Sequence, residues 1–140
     1  MRMVSRIRPF MLLLLGQWLV GCTPPSTTYI ECPDIHHGCQ LDGLVVATNH
    51  PPEIMKPFIL ELRWVEPETA AGLSEVHASF AMEGMEMGLN RYRLSKVASD
   101  IWQAEIILPL CVRGRADWQM QIDAKTRFSE RQYQLGFYTN

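Results

Sequence analysis

The feature that most limits what this chain can fold into is a two-residue alternation that recurs in short runs. Phe58, Leu60, Leu62 and Trp64 share one parity, with Glu61 and Arg63 on the other. Trp102, Ala104, Ile106 and Leu108 alternate with Gln103 and Glu105 in the same way. Trp118, Met120 and Ile122 do so with Gln119 and Gln121, and Tyr133, Leu135 and Phe137 follow suit. Successive side chains of a strand point to opposite faces, so this parity gives each strand one buried and one wet face. Helical spacing is almost absent. Seven candidate strands result, at 41–48, 57–64, 75–81, 90–97, 101–108, 116–123 and 132–139. Turn-forming stretches such as "NHPPE", "EPETAAG" and "VRGRAD" separate them. The pattern predicts a seven-stranded antiparallel β-sandwich, Ig-like or cupredoxin-like, with Trp64, Trp102 and Trp118 in its core.

The first 21 residues do not belong to that pattern. "MRMVSRIR" carries Arg2, Arg6 and Arg8, and the apolar run "PFMLLLLGQWLV" follows. A basic segment, a short apolar segment and a small-residue cleavage site make an export signal. The run is shorter than the ~20 apolar residues that a membrane-spanning helix needs. Its ending, Leu19-Val20-Gly21-Cys22, resembles a bacterial lipobox, which implies that Cys22 is acylated and becomes the new N-terminus. Thr23 after the cysteine, in place of an acidic residue, implies transfer to the outer membrane. The expected organisation is a lipoprotein signal peptide at 1–21, a Pro/Ser/Thr tether at 22–30 and a sandwich domain at 31–140.

Without the signal's three arginines, ten Lys+Arg remain against 15 Asp+Glu, a charge near −5. That balance argues against nucleic acid or anionic lipid as a partner, since both need basic patches. Attachment to the membrane is expected through the acyl chains alone. Export also implies an oxidising compartment for Cys32, Cys39 and Cys111. One disulfide and one odd thiol is the simplest outcome. Cys32–Cys39 would close a small loop; Cys39–Cys111 would tie distant segments and staple the sheets, and is the pairing favoured at this point. "CPDIHHGC" also sets His36 and His37 between two cysteines, but the spacing matches no zinc signature, and the cysteines are expected to be oxidised.

Familiar catalytic patterns are missing: there is no G-x-S-x-G, H-E-x-x-H, P-loop or G-x-G-x-x-G. A non-enzymatic role is expected. The chemistry-bearing stretch is instead "FAMEGMEMGLNRY", which puts Met82, Met85 and Met87 into six residues between two strands. Gly84 and Gly88 supply the positive-φ positions of an exposed turn. Thioether sulfur is a soft donor that cannot be lost to a disulfide, and soft thioethers select Cu(I) over hard divalent ions. A Cu(I) site on Met82, Met85 and Met87 is the expectation, completed by His77 on the preceding strand or by His50 if its turn lies at the same end. Methionine also fills irregular core gaps, so a hydrophobic cap or a docking patch are the competing roles.

"AMEGMEMG", the following "NRY", "WQAEIILP" and "GRADWQMQI" resemble the YtkA-like/FixH-like group of small exported β-sandwich domains. The likeness covers roughly residues 57–123. It departs where Glu83 replaces the group's usual proline and where Arg115-Ala116-Asp117 intervenes before Trp118. The resemblance implies a copper-binding or oxidase-assembly accessory role and carries over to Met82, Met85 and Met87. The resulting expectation is a lipid-anchored envelope protein that binds Cu(I) as a chaperone or buffer, partnered by a cuproprotein or envelope complex. A structural lipoprotein whose Met turn is a docking patch is the alternative.

Overall fold

The computed structural model describes residues 27–140 apart from Glu86. The expected signal peptide, the Cys22 acylation site and tether residues 22–26 lie outside the described residues. Ten strands follow in chain order: β1 Thr27–Glu31, β2 Cys39–Leu41, β3 Leu44–Thr48, β4 Phe58–Trp64, β5 Leu73–Ala81, β6 Arg91–Arg93, β7 Ser95–Lys96, β8 Ile101–Ile106, β9 Asp117–Thr126 and β10 Glu130–Tyr138. A 3-10 turn, Ile35–His37, precedes β2, and a one-turn helix α1, Pro67–Ala71, precedes β5. The strands form two five-stranded sheets, ordered β1-β10-β9-β5-β6 and β2-β3-β4-β8-β7. All pairs are antiparallel except β1 with β10.

The alternating residues build one core between the sheets. Phe58, Leu60, Leu62 and Trp64 are all buried, and Trp118, Met120, Ile122, Tyr133, Leu135 and Phe137 face them from the other sheet. Trp102 is buried as well. The inner-face parity therefore reads correctly, but the strand count of seven does not, for three physical reasons.

The run 41–48 is a hairpin. Asp42 and Gly43 both take positive φ (37° and 78°), so an Asp-Gly turn folds β2 back onto β3. The run 90–97 divides between sheets: β6 pairs with β5, β7 pairs with β8, and buried Leu94 between them crosses the core. Finally, the sheet begins earlier than expected. Thr27–Glu31 pairs along β10, so the last part of the expected tether is an edge strand.

The favoured disulfide also differs. Cys32 bonds Cys39, with Cα atoms 6.0 Å apart, and Cys111 is a buried free thiol. Cys39 opens β2, at one edge of its sheet, while Cys111 follows β8, three strands across. Three spacings of about 4.8 Å make roughly 14 Å, twice the Cα separation that a disulfide tolerates. The staple between sheets nevertheless exists. Cys32 lies just past β1 in one sheet and Cys39 begins β2 in the other, so the short loop joins the two sheets at one edge.

Candidate soft-metal site at the Met turn

The β5–β6 connection follows from the parity of β5. Val76, Ala78 and Phe80 face inward, and Met82 continues that row, with 2% of its surface exposed. A turn then closes tightly: the Met85 N–H donates to the Met82 carbonyl at 3.1 Å, with Gly84 at φ 71° between them. Met82 and Met85 form an isolated antiparallel bridge. Met85 and Met87 are half-buried and pack against the core rather than projecting freely. Glu83, Gly84, Gly88 and Leu89 are exposed. The turn is thus solvent-facing in its backbone and core-facing in its sulfurs.

A second loop meets it. The buried Cys111 thiol donates to the Met85 sulfur, Sγ to Sδ 3.3 Å. The Gly114 N–H donates to the Cys111 carbonyl at 3.0 Å, with Gly114 at φ 65°, so residues 111–114 form a turn of their own. Arg115 ties the two loops together. Its Nη1 donates to the Glu83 carbonyl at 2.7 Å, and its Nε donates to Asp117 Oδ1 at 2.8 Å. Its Nη2 bonds the other oxygen of Asp117. The hydrogen bonds that Arg115 donates to Asp117 raise its pKa above the ordinary value, and the nearby Cys111 and Glu83 add to that attraction. Reciprocally, Arg115 holds the Asp117 carboxyl below its usual range.

The histidines do not join this site as expected. His77 is five residues before Met82 on one strand, an odd number, so the two side chains point to opposite faces. Its Nε2 lies 3.4 Å from Glu75 Oε1 on the outer face, across from Asp123 and Arg93 in the strand register. His50 is at the correct end: the neighbouring Met55 N–H donates to the Leu108 carbonyl, and the Asn140 N–H to the Pro52 carbonyl. Its Nδ1, however, sits 3.0 Å from the Pro51 carbonyl of its own turn. His36 Nδ1 lies against the Thr48 carbonyl and His37 Nδ1 against Asp34, beside a disulfide that leaves neither cysteine as a donor.

Among the described residues no group of three or more His, Cys, Asp or Glu side chains is arranged to hold a metal ion. A site at this end therefore depends on sulfur. Two metal–sulfur bonds of about 2.3 Å can bridge donors as far apart as Met85 and Cys111. Those two sulfurs fit a soft ion; Met87, two residues after Met85 in the same connection, is half-buried against the core, whereas Met82 is directed into the core and His77 away from it. Cys111 is the donor that sequence reasoning missed. It stands 26 residues from Met85, and only the topology brings the two together.

No family model matches the chain, and no curated protein does. Among solved structures, a DUF4785 family protein from Legionella pneumophila is similar at a TM-score of 0.52 and 17% identity, over 69% of this chain and 28% of that one. An engineered protein is similar at a TM-score of 0.48 and 14% identity, over 69% of this chain and 20% of that one. The chain thus spans under a third of the length of either. The first likeness concerns the fold alone.

Proposed function

We propose that this chain is a lipid-anchored envelope protein that binds Cu(I) at the Met turn and acts as a copper buffer or chaperone, or as an accessory in oxidase assembly. The ligands in this reading are Met85, Met87 and Cys111, on an Ig-like or cupredoxin-like sandwich tethered through acylated Cys22 to the outer membrane. The observation that carries it is the 3.3 Å contact between the Cys111 thiol and the Met85 thioether, where two loops are clamped by Arg115. Thiolate and thioether are both soft donors, which is the set that selects Cu(I). The resemblance to YtkA-like/FixH-like domains agrees with this reading at Met85 and Met87.

The residues divide the labour simply. Cys111 gives up its proton when it ligates, so binding releases about one proton and strengthens with pH. Arg115 keeps a positive charge near the thiolate so formed. Burial at 4% exposure slows oxidation of the free thiol. Transfer to a partner proceeds by exchange of sulfur ligands, with no catalytic step.

The test is competition for Cu(I) between the full chain, purified from membranes in detergent, and bicinchoninate. A dissociation constant tighter than micromolar, weakened at least tenfold by Met85→Leu and by Cys111→Ala, is expected. Binding weaker than micromolar, or variants that bind as tightly as the wild type, would end the copper reading. A docking role for the same loops is the second reading, because Leu89, Leu110 and Val112 on them are 93%, 66% and 91% exposed. Retention of an envelope protein by the wild type, lost on Leu89→Ser with Val112→Ser while copper binding persists, would favour it.

A further inference from the structure

The opposite end of the molecule carries a second exposed feature, the tip of the β9–β10 hairpin. Phe128 is 92% exposed there, beside exposed Arg127. The tip is built rather than loose. The Thr126 N–H donates to the Ser129 carbonyl at 2.8 Å, and the Thr126 hydroxyl accepts from the Ser129 N–H at 3.0 Å and the Phe128 N–H at 3.3 Å. An aromatic side chain held almost wholly in water on a hydrogen-bonded tip contributes nothing to the core. It is the kind of group that gains by entering a headgroup region, with a cation beside it for lipid phosphate.

The chain's own path says which surface is near. β1 runs parallel to β10, with Thr27 opposite Gln132, so the chain enters its sheet at the tip end. Cys22 lies five residues earlier in sequence, and five residues reach at most about 18 Å. The Met turn is at the far end, because β5 pairs Leu73 with Thr126 at the tip and Ala81 with Gln119 near the turn. The charges around the tip are mixed. Lys125 is flanked in register by Glu75 and Glu130, and Arg131 lines a pocket with Asp42 and Glu66. Recruitment by charge alone is therefore weak. A contact that is weak in solution becomes occupied when a tether makes it intramolecular.

We propose that Phe128 and Arg127 rest in the phospholipid headgroup region of the membrane that carries the anchor, holding the domain upright with the Met turn facing away. This rests on the lipidation of Cys22 for its geometry and is independent of copper. The test uses the full chain, purified from membranes and reconstituted in phosphatidylethanolamine/phosphatidylglycerol vesicles brominated high on the acyl chains. Phe128→Trp adds an exposed indole to the buried Trp64, Trp102 and Trp118. Val112→Trp does the same at the Met-turn end and serves as the control. Loss of about half or more of the added emission for Phe128→Trp, and little for Val112→Trp, is the expected result. Mass analysis of the N-terminal peptide reads the anchor separately, and quenching without a lipid on Cys22 would leave the tip contact standing and remove the anchor. A lipidated chain with equal quenching at both positions overturns the proposal. So does added emission from Phe128→Trp that responds to protein concentration in detergent instead of to lipid, which assigns the tip to a second copy.

Discussion

Met82 separates a core methionine from a ligand methionine, and the separation is measurable. Its side chain continues the inward row of Val76, Ala78 and Phe80, with 2% exposure, so truncation leaves a cavity that rigid neighbours fill only in part. Buried Met→Ala changes cost about 2–5 kcal/mol, and the low part of that range suits a residue at the rim of the core; we expect about 3 kcal/mol. For a domain of this size that is a fall in Tm of roughly 10–15 °C. Met82→Leu keeps the volume and loses only the sulfur, so it costs less than about 1.5 kcal/mol. Urea denaturation followed by tryptophan fluorescence gives both stabilities, and the bicinchoninate competition gives the Cu(I) affinity of each variant. Met82→Leu is expected to bind Cu(I) within about twofold of the wild type, whereas Met85→Leu loses at least a factor of ten, about 1.4 kcal/mol. If Met82→Leu keeps its stability and loses copper as Met85→Leu does, the assignment of Met82 to the core is wrong. The assignment also fails if Met82→Ala costs under 1 kcal/mol, because a row buried to that degree would then not be packed.

Three further outcomes follow from single contacts. Replacing Cys32 and Cys39 together with alanine removes a cross-link that closes a loop of about eight residues, worth about 2.5 kcal/mol in the chain-entropy model. With the lost burial of Cys32, urea denaturation should register about 3 kcal/mol, and a loss below 1 kcal/mol would show that the sheets do not rely on this staple. Asp123 is 4% exposed in its side chain and bonds Arg91 and Gln121, both at 2.8 Å. Asp123→Ala leaves Arg91 without its carboxylate, with only the 3.5 Å bond to the Ser79 hydroxyl; because Arg91 is one-third exposed, about 2 kcal/mol is expected by urea denaturation, below the cost of breaking a fully buried pair. Asp117 titrates below its ordinary 3.8 because Arg115 hydrogen-bonds it. A depressed carboxyl stabilises the folded state above the ordinary carboxylate range, and that contribution is lost as pH falls through the lowered value. Amide exchange at residues 82–85, corrected for its intrinsic rate, should therefore rise only below about pH 4 and should match Arg115→Ala there; a rise between pH 5 and 7 would contradict the Asp117–Arg115 latch.

What the sequence made legible was parity, and what it hid was pairing. Period-two burial of Phe58 to Trp64 or Trp118 to Ile122 is a local property of extended backbone, so it can be read without knowing any neighbour. The Asp42-Gly43 turn was also local, being a strong hairpin signal inside the run 41–48. The division of 90–97 between sheets was not, because Leu94 is set by the two sheets it spans. The disulfide belongs to the same class: Cys39–Cys111 looked attractive as a sheet staple, and only the strand order places those cysteines three strands apart.

The candidate site obeys the same division, and it shows how far parity can be pushed. His77 could have been set aside from the sequence, since five residues along one strand put it on the face opposite Met82. Applied onward, the same count sends Met82 inward after Phe80, so one of the three methionines was already assignable to the core. Parity says nothing of Met85 and Met87, which lie beyond the tight turn at Gly84, nor of Cys111, which comes from another loop. The three residues that carry the proposed chemistry are thus the ones that regular strand geometry leaves undetermined. A strand fixes where its side chains point, whereas the placement of these two loops is set by the side-chain bonds of Arg115 to Glu83 and Asp117. Loosening that clamp with Arg115→Ala should therefore leave Met82 packed while weakening Cu(I) binding.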